Sequence, residues 1–185
     1  ARPELRLALV MLVALVAAGA GRRALAATTP FRLASLEGVR RAEVSLGGQR
    51  CDFLAWEHLN WECTGREHGV EQQTGLQRDA PHRYDGEPRV LFHLATALGR
   101  SRRARWSGLT LPARLGLTVA NADHGALGGI LEVLVDGEKR AELALDADTP
   151  GLWEVDLGSP REEATLELRL RGPGAAVGVD AELPR

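Results

Sequence analysis

The chain contains 185 residues, of which 44% are hydrophobic and 26% are charged, and its formal net charge is −2. This length and composition indicate one folded domain with an attached segment, and the near-zero charge gives no reason to expect a nucleic-acid partner. The 21 glycines and 9 prolines stand mostly between short apolar runs, which favours a β-protein with many turns over a helical bundle.

The first element along the chain is an uncharged apolar run of fifteen residues, 7–21, with two arginines before it and two directly after it. It is interpreted either as the core of a secretory signal, with a small-residue cleavage site at 24–26, or as a membrane helix. The run is slightly shorter than the roughly 20 residues that cross a bilayer. The second interpretation makes the membrane a partner, and the arginines on both sides of the run do not settle its orientation, so the location of the rest of the chain, in the periplasm or at the cell surface, follows from the predicted disulfide described below. We expect residues 1–27 to form this membrane helix or signal segment and residues 28–37 to form a linker.

The remaining residues, 38–185, alternate apolar and polar positions in short runs, which is the pattern of half-buried strands. Gly47-Gly48 and Asp136-Gly137 each stand between two such runs and predict two-residue hairpin turns. No segment between the runs has the periodicity of a soluble helix. We therefore expect an all-β fold, an antiparallel two-sheet sandwich or jelly roll, preceded by one N-terminal hydrophobic helix. The predicted strands lie at 42–46, 49–55, 89–98, 104–111, 114–121, 129–146 (one hairpin), 152–157, 164–171 and 176–183.

Polar residues take the positions between the apolar ones on the later predicted strands. We interpret them as a solvated sheet face with cross-strand pairs, not as a binding site. These residues are Glu132, Arg140, Glu142, Glu154, Asp156, Glu167 and Arg169.

The only two cysteines, Cys51 and Cys63, delimit the stretch CDFLAWEHLNWEC. Strand-like sequence around them allows their Cα atoms to approach to about 5.5 Å, as a disulfide requires. A zinc site would add His58 and His68, but the spacing lacks the close ligand pair that is typical of structural zinc. A nucleophilic cysteine would need His58 or His93 as its base, and no nucleophile motif surrounds either thiol. We therefore predict a disulfide, which requires an oxidising compartment, and we expect no metal and no cofactor.

Two stretches carry candidate ligand-binding residues. Trp56 and Trp61 lie within the cysteine loop among polar residues, and their rings could stack on sugar faces or instead close the end of the sandwich core. Asn121, Asp123 and His124 lie in the polar loop NADHGALGG, which could bind a ligand or a cation or be an ordinary turn. The sequence leaves both pairs of alternatives open.

Several motifs follow one another in an order that is similar to that of a known family. They are WEC at 61–63, DGEPRVLFH at 85–93, LGLT at 115–118, VLVDG at 133–137 and PGLWEVDL at 150–157. This series resembles the C-terminal extracytoplasmic β-sandwich of bacterial polytopic membrane glycosyltransferases, which use lipid-linked sugars. The resemblance extends over about residues 38–182 and includes a hydrophobic segment ahead of the sandwich. It implies a galactose-binding-like sandwich that carries no catalysis, with a glycan or a lipid-linked sugar as partner.

Together these features predict a non-catalytic, extracytoplasmic, membrane-tethered β-sandwich that binds glycans or assists a membrane glycosyltransferase. One alternative is a secreted metal-dependent or hydrolytic enzyme, which would use the Cys/His cluster or a carboxylate pair drawn from Glu57, Glu62 and Glu67. Another alternative is a protein-interaction module.

Overall fold

The computed structural model describes residues 29–54, 60–63, 72–76, 82–84, 87–96, 99–121, 128–146, 149 and 151–185. The chain divides into two units, one formed by residues 1–30 with Arg185 and the other by Phe31–Pro184. In the first unit, the Arg185 Nε donates a hydrogen bond of 2.8 Å to the Thr29 carbonyl. The predicted N-terminal helix or signal at 1–27 lies outside the described residues. Within the described ranges, no helix is long and apolar enough to span a membrane.

The second unit consists, in its described part, of seventeen strands and one short helix. In chain order they are β1 (Phe31–Arg32), α1 (Leu36–Arg41), β2 (Glu43–Leu46), β3 (Gln49–Arg50), β4 (Asp52–Leu54), β5 (Asn60–Cys63), β6 (Gln72–Leu76), β7 (His82–Tyr84), β8 (Glu87–Arg89), β9 (Phe92–Ala95), β10 (Arg102–Leu111), β11 (Arg114–Asn121), β12 (Ile130–Val135), β13 (Glu138–Ala144), β14 (Gly151–Asp156), β15 (Arg161–Arg171), β16 (Ala176–Asp180) and β17 (Glu182–Leu183). All strand pairings among them are antiparallel. The predicted all-β antiparallel class is confirmed.

Two large sheets contain most of these strands. The six-stranded sheet has the order β13-β12-β15-β10-β2-β3, and the seven-stranded sheet has the order β14-β11-β16-β9-β6-β5-β4. Residues from both sheets share one hydrophobic core, and Phe92 of β9 packs edge to face on Trp106 of β10 with ring centroids 5.1 Å apart. The two sheets therefore pack face to face, as in a β-sandwich.

Alternation along the strands creates the core. On β15, Leu166, Leu168 and Leu170 are fully buried, and the residues between them face outward. One of the predicted cross-strand pairs lies on that outer face, where Arg169 of β15 is in register with Glu132 of β12 and bonds to it at 3.5 Å. The apolar positions thus face the opposite sheet and the polar positions form ion pairs on the surface.

Both predicted hairpin turns are present. Asp136 and Gly137 have φ angles of 51° and 84°, and Gly47 and Gly48 have φ angles of 57° and 88°. Two consecutive positive φ values match the twist of antiparallel strands joined by a two-residue turn, and glycine adopts them without strain.

The predicted strand at 49–55 is two strands in the structure. β3 pairs with β2 in the six-stranded sheet, whereas β4 pairs with β5 in the seven-stranded sheet. The chain changes sheets at Cys51, whose backbone N–H donates a hydrogen bond of 2.9 Å to the Val44 carbonyl. The predicted strand at 89–98 is also shorter, because β8 ends at Arg89 in a separate pairing with β7 and the sheet strand begins at Phe92.

Helix α1 overlaps the end of the predicted linker and lies ahead of the first predicted strand at 42–46, where no helix was predicted. The helix begins after Ser35, whose Oγ accepts a hydrogen bond of 2.9 Å from the Gly38 N–H. Two buried indoles, those of Trp106 and Trp61, donate to α1 carbonyl oxygens at 2.8 and 3.3 Å. The predicted linker at 28–37 therefore contains β1 and the start of a helix that packs on the core.

Candidate functional site

Cys51 and Cys63 form a disulfide with their Cα atoms 4.4 Å apart, so the predicted bond is confirmed. It is buried, and it joins the point where the chain changes sheets to the end of β5. The bond takes both thiols away from the alternative zinc site and the alternative nucleophile, which need a free thiolate. His58 and His68 lie outside the described residues. Within the part of the chain that the structure describes, no group of three or more His, Cys, Asp or Glu side chains could hold a metal ion.

Arg102, the first residue of β10, is fully buried beside the disulfide. Its Nε donates a hydrogen bond of 2.8 Å to the Ala95 carbonyl, and its Nη1 contacts the sulfur of Cys63 and, at 3.6 Å, the sulfur of Cys51. Burial lowers the pKa of Arg102 to about 10, because the charged guanidinium loses its hydration in the core. Strand periodicity does place this residue on the inward face, but arginine is among the residue types least often buried.

Among the predicted ligand-binding residues, the described side chain is that of Trp61. It is 6% exposed, and its indole N–H is bonded to α1, so Trp61 belongs to the core and presents no open ring face to a sugar. Asn121 is the last residue of β11 and its side chain is not among those described. Trp56, Asp123 and His124 lie wholly outside the described residues, and their proposed role stays a prediction.

Two depressions flank the edge strand β14. The first, which we call the outer depression, opens on the outer face of the seven-stranded sheet and has a volume of about 260 Å³. Gly116 lies on its floor between the outward-facing Arg114 and Thr118, and a side chain at this glycine would contact Leu152. The polar part of the lining also includes Arg32, Asp180 and Glu182.

Asp180 orders the polar wall of the outer depression. Its Oδ1 accepts hydrogen bonds of 2.9 Å from the backbone N–H groups of Ala34 and Ala181, and its Oδ2 accepts one of 2.9 Å from the Arg32 Nε. The hydrogen bond to Asp180 raises the pKa of Arg32, so the guanidinium stays charged. Glu182 lies 3.6 Å from the same Nε. Asp180 is thus engaged by the fold, whereas 47% of the Arg32 side chain remains exposed.

The second depression, which we call the edge depression, is lined from the edge strands β13 and β14 and has a volume of about 360 Å³. Its apolar lining comes from the partly buried Trp153 together with Leu143 and Ala144. Asp146 and Thr149 supply its polar side. The Thr149 Oγ1 accepts a hydrogen bond of 2.6 Å from the Asp146 N–H and lies 3.0 Å from the Asp146 Oδ1, so these two residues contact each other directly.

Leu152 lines both depressions and is 61% exposed. The surface around it combines apolar side chains, one of them a tryptophan, with exposed guanidinium and carboxylate groups. Such a surface suits a ligand with apolar C–H faces and many hydroxyl groups. This site was not predicted from the sequence, although the sequence contains a signal for it. The outward positions of β14 are Leu152, Glu154 and Asp156, and Leu152 is the apolar one.

The sequence matches no protein family and no curated protein. Among solved structures, it is similar to the CBM51-2 and INT domains from Clostridium perfringens ZmpB, with 14% identity and a TM-score of 0.38. The match covers 76% of this chain and 41% of that chain, so this chain spans less than half of the matched protein. The CBM51 domain is a carbohydrate-binding module.

Proposed function

We propose that this chain is a non-catalytic carbohydrate-binding domain that acts outside the cytoplasm. The observation that carries the proposal is the pair of depressions around Leu152, one lined by Trp153 and the other by Arg32 and Arg114. Aromatic and aliphatic side chains pack on the C–H faces of sugar rings, and charged planar groups bind the hydroxyls. The volumes of 360 and 260 Å³ lie near the lower limit of about 300–1,000 Å³ for small-molecule sites, so a short sugar chain across Leu152 fits them.

The carboxylates of the outer depression favour binding over hydrolysis. Glycosidases generally use two carboxyl groups, one of which gives or takes a proton. Hydrogen bonds from two backbone N–H groups and from the Nε and Nη2 of Arg32 engage the oxygens of Asp180. Glu182 is therefore the one exposed carboxylate in the described lining of the outer depression, and the carboxylate of the edge depression, Asp146, accepts a hydrogen bond of 3.0 Å from the Thr149 hydroxyl.

The proposed location rests on the disulfide and on the sequence ahead of the sandwich. A buried disulfide supports an oxidising compartment. The apolar run at 7–21 supports a membrane tether, and the resemblance stated above supports a place beside a membrane glycosyltransferase. After expression of the full chain in a bacterium with a periplasm, we expect it in carbonate-washed membranes with both cysteines oxidised. Recovery from the soluble cytoplasmic fraction with two free thiols would contradict the location.

Leu152→Gln tests the binding site. A glycan array first identifies the best neutral oligosaccharide, and isothermal titration then gives its affinity. Because the side chain is exposed, the substitution should change the free energy of unfolding by no more than about 0.5 kcal/mol. Burial of a leucine against a ligand contributes roughly 1.5–3 kcal/mol, so the affinity should fall at least tenfold.

Leu36→Gln is the matched control, since it is the same substitution at an exposed position of α1 that lines neither depression. It should leave the affinity unchanged. Equal losses in the two variants, or an array on which the wild-type chain binds no glycan, would refute the proposal.

A further inference from the structure

A separate pocket of about 210 Å³ lies on the outer face of the six-stranded sheet, on β2, β3, β10 and β15. It shares no lining residue with the two depressions beside β14. We call it the arginine pocket, and its polar lining consists of Glu43, Ser45, Arg50, Arg103, Arg105 and Glu167.

Strand register brings these side chains together. β10 lies between β2 and β15, so its outward residues have a cross-strand neighbour on each side. Arg103 is opposite Ser45, and Arg105 is opposite both Glu43 and Glu167. Directly opposed side chains have their Cβ atoms about 4.5–5.5 Å apart, and alternate residues of one strand share a face. The pocket is therefore part of the sheet and not a feature of a loop.

The guanidinium groups of this pocket are incompletely used by the protein. The Glu167 Oε1 is already engaged by Arg169, which donates to it at 2.9 and 3.2 Å. The Arg103 Nε lies 3.8 Å from that oxygen, and among the described residues it has no hydrogen-bond partner. Within the same part of the chain, the exposed Arg50 and Arg105 have no ion-pair or hydrogen-bond partner. The donor groups of Arg50 and Arg105 are therefore available to a ligand.

Charge and donor chemistry define the ligand. Three arginines and two glutamates give the lining a net charge of 3 − 2 = +1, which complements a monoanion better than a dianion. The planar fork of a guanidinium binds a carboxylate through two parallel hydrogen bonds. The Ser45 hydroxyl and the Glu43 carboxylate can accept hydrogen bonds from hydroxyl groups beside that carboxylate. A ligand with one carboxylate next to several hydroxyls satisfies all of these groups.

We propose that the arginine pocket binds an acidic sugar through its carboxylate. Arg50 and Arg105 hold the carboxylate, and Glu43 and Ser45 bind the neighbouring hydroxyls. The arginine pocket differs in position and in ligand charge from the pair of depressions around Leu152, which we call the neutral-sugar site, and the proposal stands whether or not that site is confirmed.

Titration of the full chain with glucuronate and galacturonate tests the proposal. At least one of the two should bind, and its uncharged methyl ester should bind tenfold or more weakly. Arg105→Gln should lower the affinity for the acid tenfold or more, since a charge-assisted hydrogen bond is lost. Added sodium chloride should also weaken binding, because the site is exposed to solvent.

Two control variants keep the test specific. Arg40→Gln removes an exposed arginine of α1 that does not line the pocket, and Leu152→Gln alters the neutral-sugar site. Both should bind the acid as the wild type does. If Arg105→Gln fails to fold, Arg50→Gln on the exposed strand β3 takes its place.

Several results would overturn the proposal. One is the absence of binding by both acids. Others are equal binding of the acid and its methyl ester, an arginine-pocket variant that binds as well as Arg40→Gln, and displacement of the acid by an equal concentration of inorganic sulfate, since the last would show selection for charge alone.

Discussion

Arg102 places a guanidinium group in the core, where it contacts both sulfur atoms of the disulfide and the Ala95 carbonyl. Transfer of a charged group from water into such surroundings is costly unless hydrogen bonds replace its hydration. The contacts of Arg102 fix the start of β10 against the point where the chain changes sheets. The same burial lowers the pKa of Arg102, so this residue releases its proton at a lower pH than a surface arginine does.

Arg102→Met should remove a pH dependence of stability. The folded-state pKa of Arg102 is lowered to about 10, well below the ordinary pKa of an arginine side chain. Between the folded-state pKa and the higher pKa of the unfolded chain, the unfolded chain keeps a proton that the folded chain has released, so Arg102 makes stability rise with pH. Urea denaturation of both proteins from pH 8 to about pH 11 measures the effect. The stability of wild type minus variant should be constant up to about pH 9 and then increase.

Groups common to both proteins cancel in that difference, so the other titrations of this pH range do not obscure it. A difference that stays flat, or that decreases above pH 10, would contradict the depressed pKa of Arg102.

Element lengths decide how much of the fold could be predicted. β10, β11 and β15 each contain eight or more residues, and in such strands alternation identifies both the strand and its buried face. Helix α1 has six residues, too few to show a helical period or to form without tertiary contacts. The roles of tryptophans were equally hidden, since the sequence does not show that the Trp61 indole finds a carbonyl of α1. Leu152 was missed because alternation places it on the outward face of β14 without showing that depressions form beside it.

Gly38→Ala should be strongly destabilising, although alanine normally favours a helix over glycine by about 1 kcal/mol. A Cβ at this position would collide with the carbonyl oxygens of Arg32 and Leu33. The helix would then have to move, which would break the 2.8 Å hydrogen bond from the Trp106 indole to the Gly38 carbonyl. We expect a loss of roughly 2–4 kcal/mol in urea denaturation, with a change in the near-ultraviolet tryptophan signal.

Gly151→Ala is the matched control for this prediction. A Cβ at Gly151 would have nothing within 4 Å, and its φ is not in the left-handed region. Its effect should stay within about 0.5 kcal/mol. Similar stabilities of the two variants would show that α1 is not held as tightly as the contacts indicate.

At the scale of the whole molecule, the disulfide joins the two sheets at one corner. β3 belongs to the six-stranded sheet and β4 to the seven-stranded sheet, and Cys51 is the single residue between them. Its bond to Cys63 at the end of β5 ties this crossing to the next strand of the seven-stranded sheet. The bond therefore restrains the segment through which the two sheets are connected, and the stability of the sandwich should depend on the redox state of its surroundings.

The double substitution Cys51→Ala with Cys63→Ala should lower the free energy of unfolding by about 3 kcal/mol, because closing a loop of this length removes roughly that much chain entropy from the unfolded state. The separation is 12 residues. A natural domain has about 5–15 kcal/mol in total, so such a loss is a large share. Urea denaturation of wild type with and without reductant should show the same decrease, and the variant should not respond to reductant. Equal stability of the oxidised and reduced wild type would show that the fold does not depend on the disulfide. It would also remove the main support for an oxidising compartment.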